Sequence, residues 1–206
     1  AAAFNHVCHP HTTATYQGAA GVKTIDINKF MTLHKVVAEN SNGFVLERTQ
    51  DSIEQHLAGS HYAITIYSDA PEFKGQMIAQ ALIALPELDG ASNIEGYPIK
   101  DEDKKRTAIV QAFGVAPEHV KCGIEALFKA IEEIALKEGR THIIAKMNAK
   151  NEPSERMFKK SKFVQHGDLI QVKGQTYTSL FMQKIIEPTP QFTFGYKPQN
   201  SALINS

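Results

Sequence analysis

The stretch VAPEHVKCGIEAL, residues 115–127, joins the end of an apolar strand-like run to the start of a helical period. A helix N-terminus presents unpaired backbone N–H groups and the positive end of its dipole, so it receives phosphate oxygens well. Gly123 lets the backbone approach a ligand closely, and Lys121 adds a cation. Units with one glycine also occur widely in α/β proteins with no such ligand, so both readings stand at this point. Cys122 lies at the helix start, where a thiol pKa is lowered. An acyl-cysteine relay is one reading, and a passive small side chain is the preferred one.

Proton-accepting groups are harder to place. Glu87, Asp89 and Glu95 fall in a polar segment, residues 87–106, of a length that often marks a lid or binding loop. Each also reads as a solvated surface acid. Gln111 has the right neighbourhood, but an amide takes no proton. His61 and His142 open strands and read as structural or solvent-facing, and His34 reads as a hydrogen-bonded core histidine. His6, Cys8, His9 and His11 crowd together in HVCHPHTT, a set that a soft metal accepts. A flexible terminus is the preferred reading, so no metal is expected.

The elements that must position these groups follow from period and punctuation. Apolar residues in DINKFMTLHKVVAEN recur at helical spacing behind Asp26 as N-cap, and TQDSIEQHLAG is a second helix between Thr49 and Gly59. HYAITIYSD and GQMIAQALIALPE are strands joined by APEFKG. TAIVQAFGVAP is a third strand, followed by the longest amphipathic helix with Ile124, Leu127, Phe128, Ile131 and Ile134 on one stripe, closed by Gly139. THIIAKMNA is a strand, and EPSERMFKKSK is a helix with Pro153 in its first turn. The segment 163–186 reads as two strands turning near Lys173 and Gly174. An irregular lead-in over 1–22, one domain over 23–187 and a tail over 188–206 complete the organisation. The order implies a mixed α/β sheet flanked by helices.

Composition bounds the function classes. The chain has 206 residues, with 42% hydrophobic and 21% charged, enough for one packed domain. Its 22 basic and 22 acidic side chains cancel, which argues against bulk electrostatic capture of nucleic acid. Two cysteines in unlike contexts read as reduced thiols. No apolar run spans a bilayer and the start lacks a signal-peptide pattern, so a cytoplasmic location with no membrane partner is the expectation.

Read together, VAPEHVKCGIEAL and NEPSERMFKKSKF resemble the paired motifs of the GNAT superfamily of acyl-CoA-dependent N-acetyltransferases. The family places Arg/Gln-x-x-Gly-x-Gly/Ala at the first site, and Asn-x-x-Ser/Ala, a helical Tyr and Gly-Phe at the second. The resemblance is specific over residues 107–165 and fits in element order from about 24 to 186. It implies a mostly antiparallel mixed sheet splayed at the cofactor, flanked by about four helices. Acetyl-CoA would lie with its pyrophosphate on the amides of Lys121, Cys122, Gly123, Ile124, Glu125 and Ala126. Its pantetheine would follow a bulge at Phe113, Gly114 and Val115, with Asn151 and Phe158 nearby. The implied reaction is direct attack of an acceptor amine, on a small molecule or a protein, with homodimerisation as an option. Four departures stand out: Val120 at the Arg/Gln position, Glu125 for Gly/Ala, Phe158 for the Tyr that protonates the thiolate, and Lys162 for the glycine. They keep open the alternative of a catalytically degenerate acyl-CoA-binding sensor.

Overall fold

A computed structural model describes residues 11–91 and 93–187; the expectations for 1–10 and for the tail over 188–206 lie outside these. The strands are β1 (His11–Gln17), β2 (Tyr62–Ser68), β3 (Met77–Ala84), β4 (Thr107–Val115), β5 (His142–Asn148), β6 (Val164–Gln165), β7 (Ile170–Gln171) and β8 (Thr178–Ile185). The helices are α1 (Gly18–Thr24), α2 (Ile27–Glu39), α3 (Gln50–Ala58), α4 (Val120–Lys137) and α5 (Glu152–Lys160). The sheet runs β1-β2-β3-β4-β5-β8-β6, with β7 also on β8. Every pairing is antiparallel except β4 with β5. The expected mixed, mostly antiparallel sheet flanked by helices is what the chain forms.

Helix starts follow the expected chemistry. An Asp26 carboxylate oxygen accepts the Lys29 amide at 3.1 Å, and the Thr49 hydroxyl accepts the Ser52 amide at 3.1 Å, each satisfying an amide left over by the first turn. Gly139, at φ 68°, follows α4 in the left-handed conformation that lets the Arg140 amide reach back to the Ala135 carbonyl.

Two readings of the ends are corrected. Residues 11–22 are not an irregular lead-in: 11–17 form edge strand β1 along the whole of β2, and α1 follows. An edge strand is half solvated, so HTTATYQ need not alternate in polarity and shows no period. At the other end, the single strand expected before Lys173 and Gly174 is two strands of two residues each, β6 and β7, both paired to β8.

Both faces of the sheet are covered, which explains why every residue of β3 is buried. Ile78, Ala81 and Ile83 join Leu127, Phe128, Ile131 and Ile134 of α4. Leu82 and Met77 join Phe30, Leu33, Ile53 and Leu57 of α2 and α3 on the other face. Side chains of this size each contribute about 1.5–3 kcal/mol when fully buried, so the two helical layers fix where β4 and β5 lie. No helix among the described residues is long and apolar enough to cross a membrane.

Candidate active site

The site begins where two strands part. The parallel ladder of β4 and β5 runs from Thr107 and His142 to Val110 and Ala145 and stops. Both strands continue, to Val115 and Asn148. A bulge on β4 lies at the point of parting. Along β3, Leu82 pairs Gln111 and Gln80 pairs Gly114, so β4 carries an extra residue there. Ala112 absorbs it with φ 48°, a left-handed conformation that costs an L-residue about 1–2 kcal/mol. The bulge was expected at Phe113 to Val115 and sits one residue earlier. Beyond it, the β4 edge that faced β5 has no strand partner among the described residues, which leaves backbone N–H and C=O groups for a ligand.

A cavity of about 300 Å³ fills the gap. One wall is apolar: Val110, Ala112, Phe113, Ala145, Met147, Met157 and Phe158. The other is polar and comes from separate segments: Glu47 and Arg48 between α2 and α3, Tyr97, Gln111, Lys146, and Gln175 and Tyr177 before β8. The 44–48 segment is fixed by local bonds. The Ser41 hydroxyl accepts the Val45 amide at 2.9 Å, and the Arg48 amide donates to His34 Nε2 at 2.8 Å. That bond requires neutral His34, and burial with Arg48 alongside holds its pKa down. Gln80 ties α2 to β3, its amide donating to the Phe30 carbonyl and accepting the His34 amide, both at 2.9 Å.

Electrostatics set the polar wall apart. Burial lowers the Lys146 pKa and the neighbouring Arg48 charge lowers it further, and burial lowers that of Arg48 as well. The Lys146 ammonium lies 5.6 Å from the centre of the Tyr97 ring. Burial raises the Tyr97 and Tyr177 pKa values, so both phenols stay protonated at neutral pH.

The N-terminus of α4 follows β4 through a 3-10 turn, Pro117–His119. The His119 amide donates to the Ala116 carbonyl at 2.9 Å, so the amides left over by α4 are those of Val120, Lys121 and Cys122. Those of Gly123, Ile124, Glu125 and Ala126 serve the helix itself, so of the expected cradle the helix leaves over the amides of Lys121 and Cys122. Gly123 also has a packing role. A Cβ there would lie 2.5 Å from Val115 Cγ1 and 3.4 Å from the Ala79 Cβ, so the missing side chain lets α4 sit close on the sheet. Cys122 is disulfide-bonded rather than a reduced thiol, which removes it as an acyl relay; the chain's other cysteine, Cys8, lies outside the described residues.

Of the expected residues, Phe113, Asn151 and Phe158 line the cavity together with Gln111. Gly114 and Val115 continue β4 toward α4, and Lys121 and Glu125 are exposed on its first turns. The proposed bases are elsewhere. Glu87 forms a bidentate ion pair with buried Arg140. His61 Nδ1 accepts the Leu85 amide at 3.0 Å, and its Nε2 donates to the Asp89 carbonyl at 2.8 Å. His142 shares a hydrogen bond with the Thr141 hydroxyl, and Asp89 and Glu95 do not line the cavity. Among the described residues no group of three or more His, Cys, Asp or Glu could hold a metal ion; of the HVCHPHTT set, only His11 is described among the metal-ligating residues.

No family model and no curated protein matches the sequence. Solved structures do match. An N-acetyltransferase from Staphylococcus aureus Mu50 superposes with a TM-score of 0.61 at 12% identity, over 86% of this chain and 98% of its own. A GNAT-family acetyltransferase from Streptococcus pneumoniae gives 0.59 at 13% identity, over 86% and 100%. The yncA protein of Salmonella typhimurium, solved with its cofactor acetyl-CoA, gives 0.57 at 15% identity, over 87% and 95%. This chain has the GNAT fold.

Within that GNAT fold the departures acquire a geometry. Asn151 caps α5, its side-chain oxygen accepting the Ser154 amide at 3.3 Å. Phe158 is 4% exposed and packs with Phe113, Phe128 and Phe163, ring centres 5.4, 5.1 and 5.0 Å away. Lys162 takes φ 71°, so the turn keeps the left-handed backbone of the glycine it replaces. Apart from Gln111, the polar wall escaped sequence reading, although one signal was present: Lys146 interrupts the otherwise apolar IIAKM of β5.

Proposed function

We propose that this protein is an acetyl-CoA-dependent N-acetyltransferase acting by direct attack of an acceptor amine. The observation that carries the reading is the cavity between parted β4 and β5, with a β4 edge along it that no described strand pairs and an amide-rich helix start beyond. Fit supports it as well. An extended thioester ligand needs a strand edge to pair with, anion donors at one end and a dry pocket at the other. When bound, acetyl-CoA supplies an acetyl group already activated as a thioester.

The chain's own groups then do four things. The amides of Val120, Lys121 and Cys122 receive phosphate oxygens. Backbone N–H groups of β4 past Ala112 hold the ligand and polarise the reacting carbonyl oxygen. The apolar wall at Phe113 and Phe158 excludes water from the carbonyl. The acceptor nitrogen forms the C–N bond as the C–S bond breaks, and holding the two in contact supplies much of the rate. The ammonium proton leaves through Glu47 or water, and the departing thiolate takes one from Tyr97, Tyr177 or water.

Phe158 favours one rival, a cofactor-binding sensor without turnover, because it brings no hydroxyl to the family's usual acid position. Thiol release from acetyl-CoA across an amine panel, beside calorimetric titration of acetyl-CoA, separates the two. Turnover with any amine supports the enzyme; tight binding without turnover supports the sensor. The neighbours do not fix the acceptor, since they include an Escherichia coli ribosomal-protein-S18-alanine N-acetyltransferase, at 11% identity and a TM-score of 0.59.

A further inference from the structure

Resting on the acetyltransferase reading, we propose that Lys146 is a site of self-acetylation, its own amine taking the acetyl group of bound acetyl-CoA when no acceptor is present. Lys146 is the first residue of β5 past the last pair with β4, at the point where the strands part. Side chains alternate along a strand, and the packing on either side shows which way Lys146 turns. Ala145 and Met147 join the core under α4, whereas Ile144 joins Tyr97 and Phe181 on the opposite face. Lys146 shares the face of Ile144, and its ammonium lies 5.6 Å from the centre of the Tyr97 ring. It lines the same cavity as Phe113 and Phe158, which the proposed mechanism sets against the reacting carbonyl.

The surroundings of this amine suit a nucleophile better than a structural cation. Lys104, Lys159 and Lys184 each hold a carboxylate, and Lys146 belongs to none of the ion pairs among the described residues. A carboxylate partner would keep the proton on the nitrogen. Burial, and the Arg48 charge after it, instead lower the Lys146 pKa. An ordinary lysine at pH 7 is uncharged in only about one molecule in 2,500, and each unit of lowering raises that share tenfold. A site that speeds amine attack by holding amine and thioester together does the same for a lysine in its own wall. The neutral Nζ adds to the carbonyl carbon, the C–N bond forms as the C–S bond breaks, and the departing thiolate takes one of the two Nζ protons. The product is an uncharged, stable amide, so the modification marks a chain that bound the cofactor and met no acceptor.

The test incubates the full chain with acetyl-CoA and no acceptor, then reads intact mass and peptide maps. Lys146 should gain one acetyl group at least about tenfold faster than exposed Lys74 and Lys173. Its rate should level off at a lower pH than theirs, and the rate per chain should not depend on protein concentration. Excess coenzyme A should suppress acetylation of Lys146 and spare the exposed lysines, and unfolding in urea should erase the difference between them. Lys146→Arg keeps a cation in place and should remove that gain of mass. Acetyl-CoA binding in calorimetry with Lys146 unmodified, or modified no faster than Lys74 and Lys173, overturns the proposal and leaves the acetyltransferase reading standing. Modification that excess coenzyme A does not slow, or a rate per chain that climbs with protein concentration, overturns it as well. Failure to bind acetyl-CoA removes the acetyltransferase reading and the proposal with it.

Discussion

Replacing Gly123 by alanine sets two effects of opposite sign against each other. Alanine is the better helix former by up to about 1 kcal/mol. The added Cβ, however, would sit 2.5 Å from Val115 Cγ1, where carbon pairs prefer about 3.5–4.0 Å. Valine is stiff about χ1, so about 1 Å of relief must come from sliding α4 or bending β4. Overpacking of this kind costs about 1–3 kcal/mol, and the clash wins. The expected outcome is a net loss of about 1 kcal/mol or more, a fall in Tm of roughly 2–8 °C for a domain of this size. Acetyl-CoA affinity should fall with it, because the amides of Val120 to Cys122 move with the helix. Thermal unfolding and calorimetry on Gly123→Ala, Val115→Ala and the double variant decide the matter. Val115→Ala opens the space, so the double variant should recover part of both losses, with a coupling energy of about 1 kcal/mol. If affinity drops while Tm holds and the second substitution rescues nothing, Gly123 faces the phosphate rather than the sheet and the packing argument is wrong.

Phe158→Tyr should change turnover by less than about tenfold, because the protonated phenols of Tyr97 and Tyr177 already offer the departing thiolate a proton; a gain of two decades would show that the missing hydroxyl had limited the chemistry. Lys162→Gly should raise stability by about 0.5–1 kcal/mol, since left-handed backbone strains lysine at φ 71° more than glycine's freedom in the unfolded chain costs; an unchanged or lower Tm refutes this. His56 is fully buried, its Nε2 donating to the Tyr62 carbonyl at 2.9 Å, and burial drives its pKa down to about 4. The unfolded chain then binds the extra proton, so stability is complete above about pH 6.5 and falls, on the order of 3 kcal/mol, as pH drops toward 4. Urea titrations at pH 7, 6 and 5 should show that slope, and His56→Gln should flatten it while lowering overall stability.

Elements that bury one clean stripe were legible. Asp26, Thr49 and Gly139 mark helix ends by chemistry that acts within a few residues, and each does so here. β1 was not legible because its order comes from β2, fifty residues away, and not from any pattern of its own. The short β6 and β7 borrow β8 in the same way. Of the residues that the motif pair singled out, Phe113, Asn151 and Phe158 meet at one cavity. It did not show that Gly123 packs against the sheet, since a glycine that admits a ligand and one that admits a neighbouring strand look identical in one dimension.

The polar wall lay beyond such reading for a further reason. Arg48, Tyr97, Lys146 and Tyr177 come from four segments with no common period, and only the parting of β4 from β5 gives them one space to face. Residues 87–106 were read as a source of acids, and the segment instead supplies Tyr97 to the cavity while Glu87 is held by Arg140. Under the proposed mechanism, the two phenols that burial keeps protonated in this cavity are placed to hand the thiolate its proton in place of position 158. Substituting Tyr97 and Tyr177 by phenylalanine, singly and together, should therefore depress turnover more than any exchange at 158 changes it. If both single variants and the pair keep full turnover with a good acceptor, the thiolate draws its proton from water and neither phenol serves as the acid.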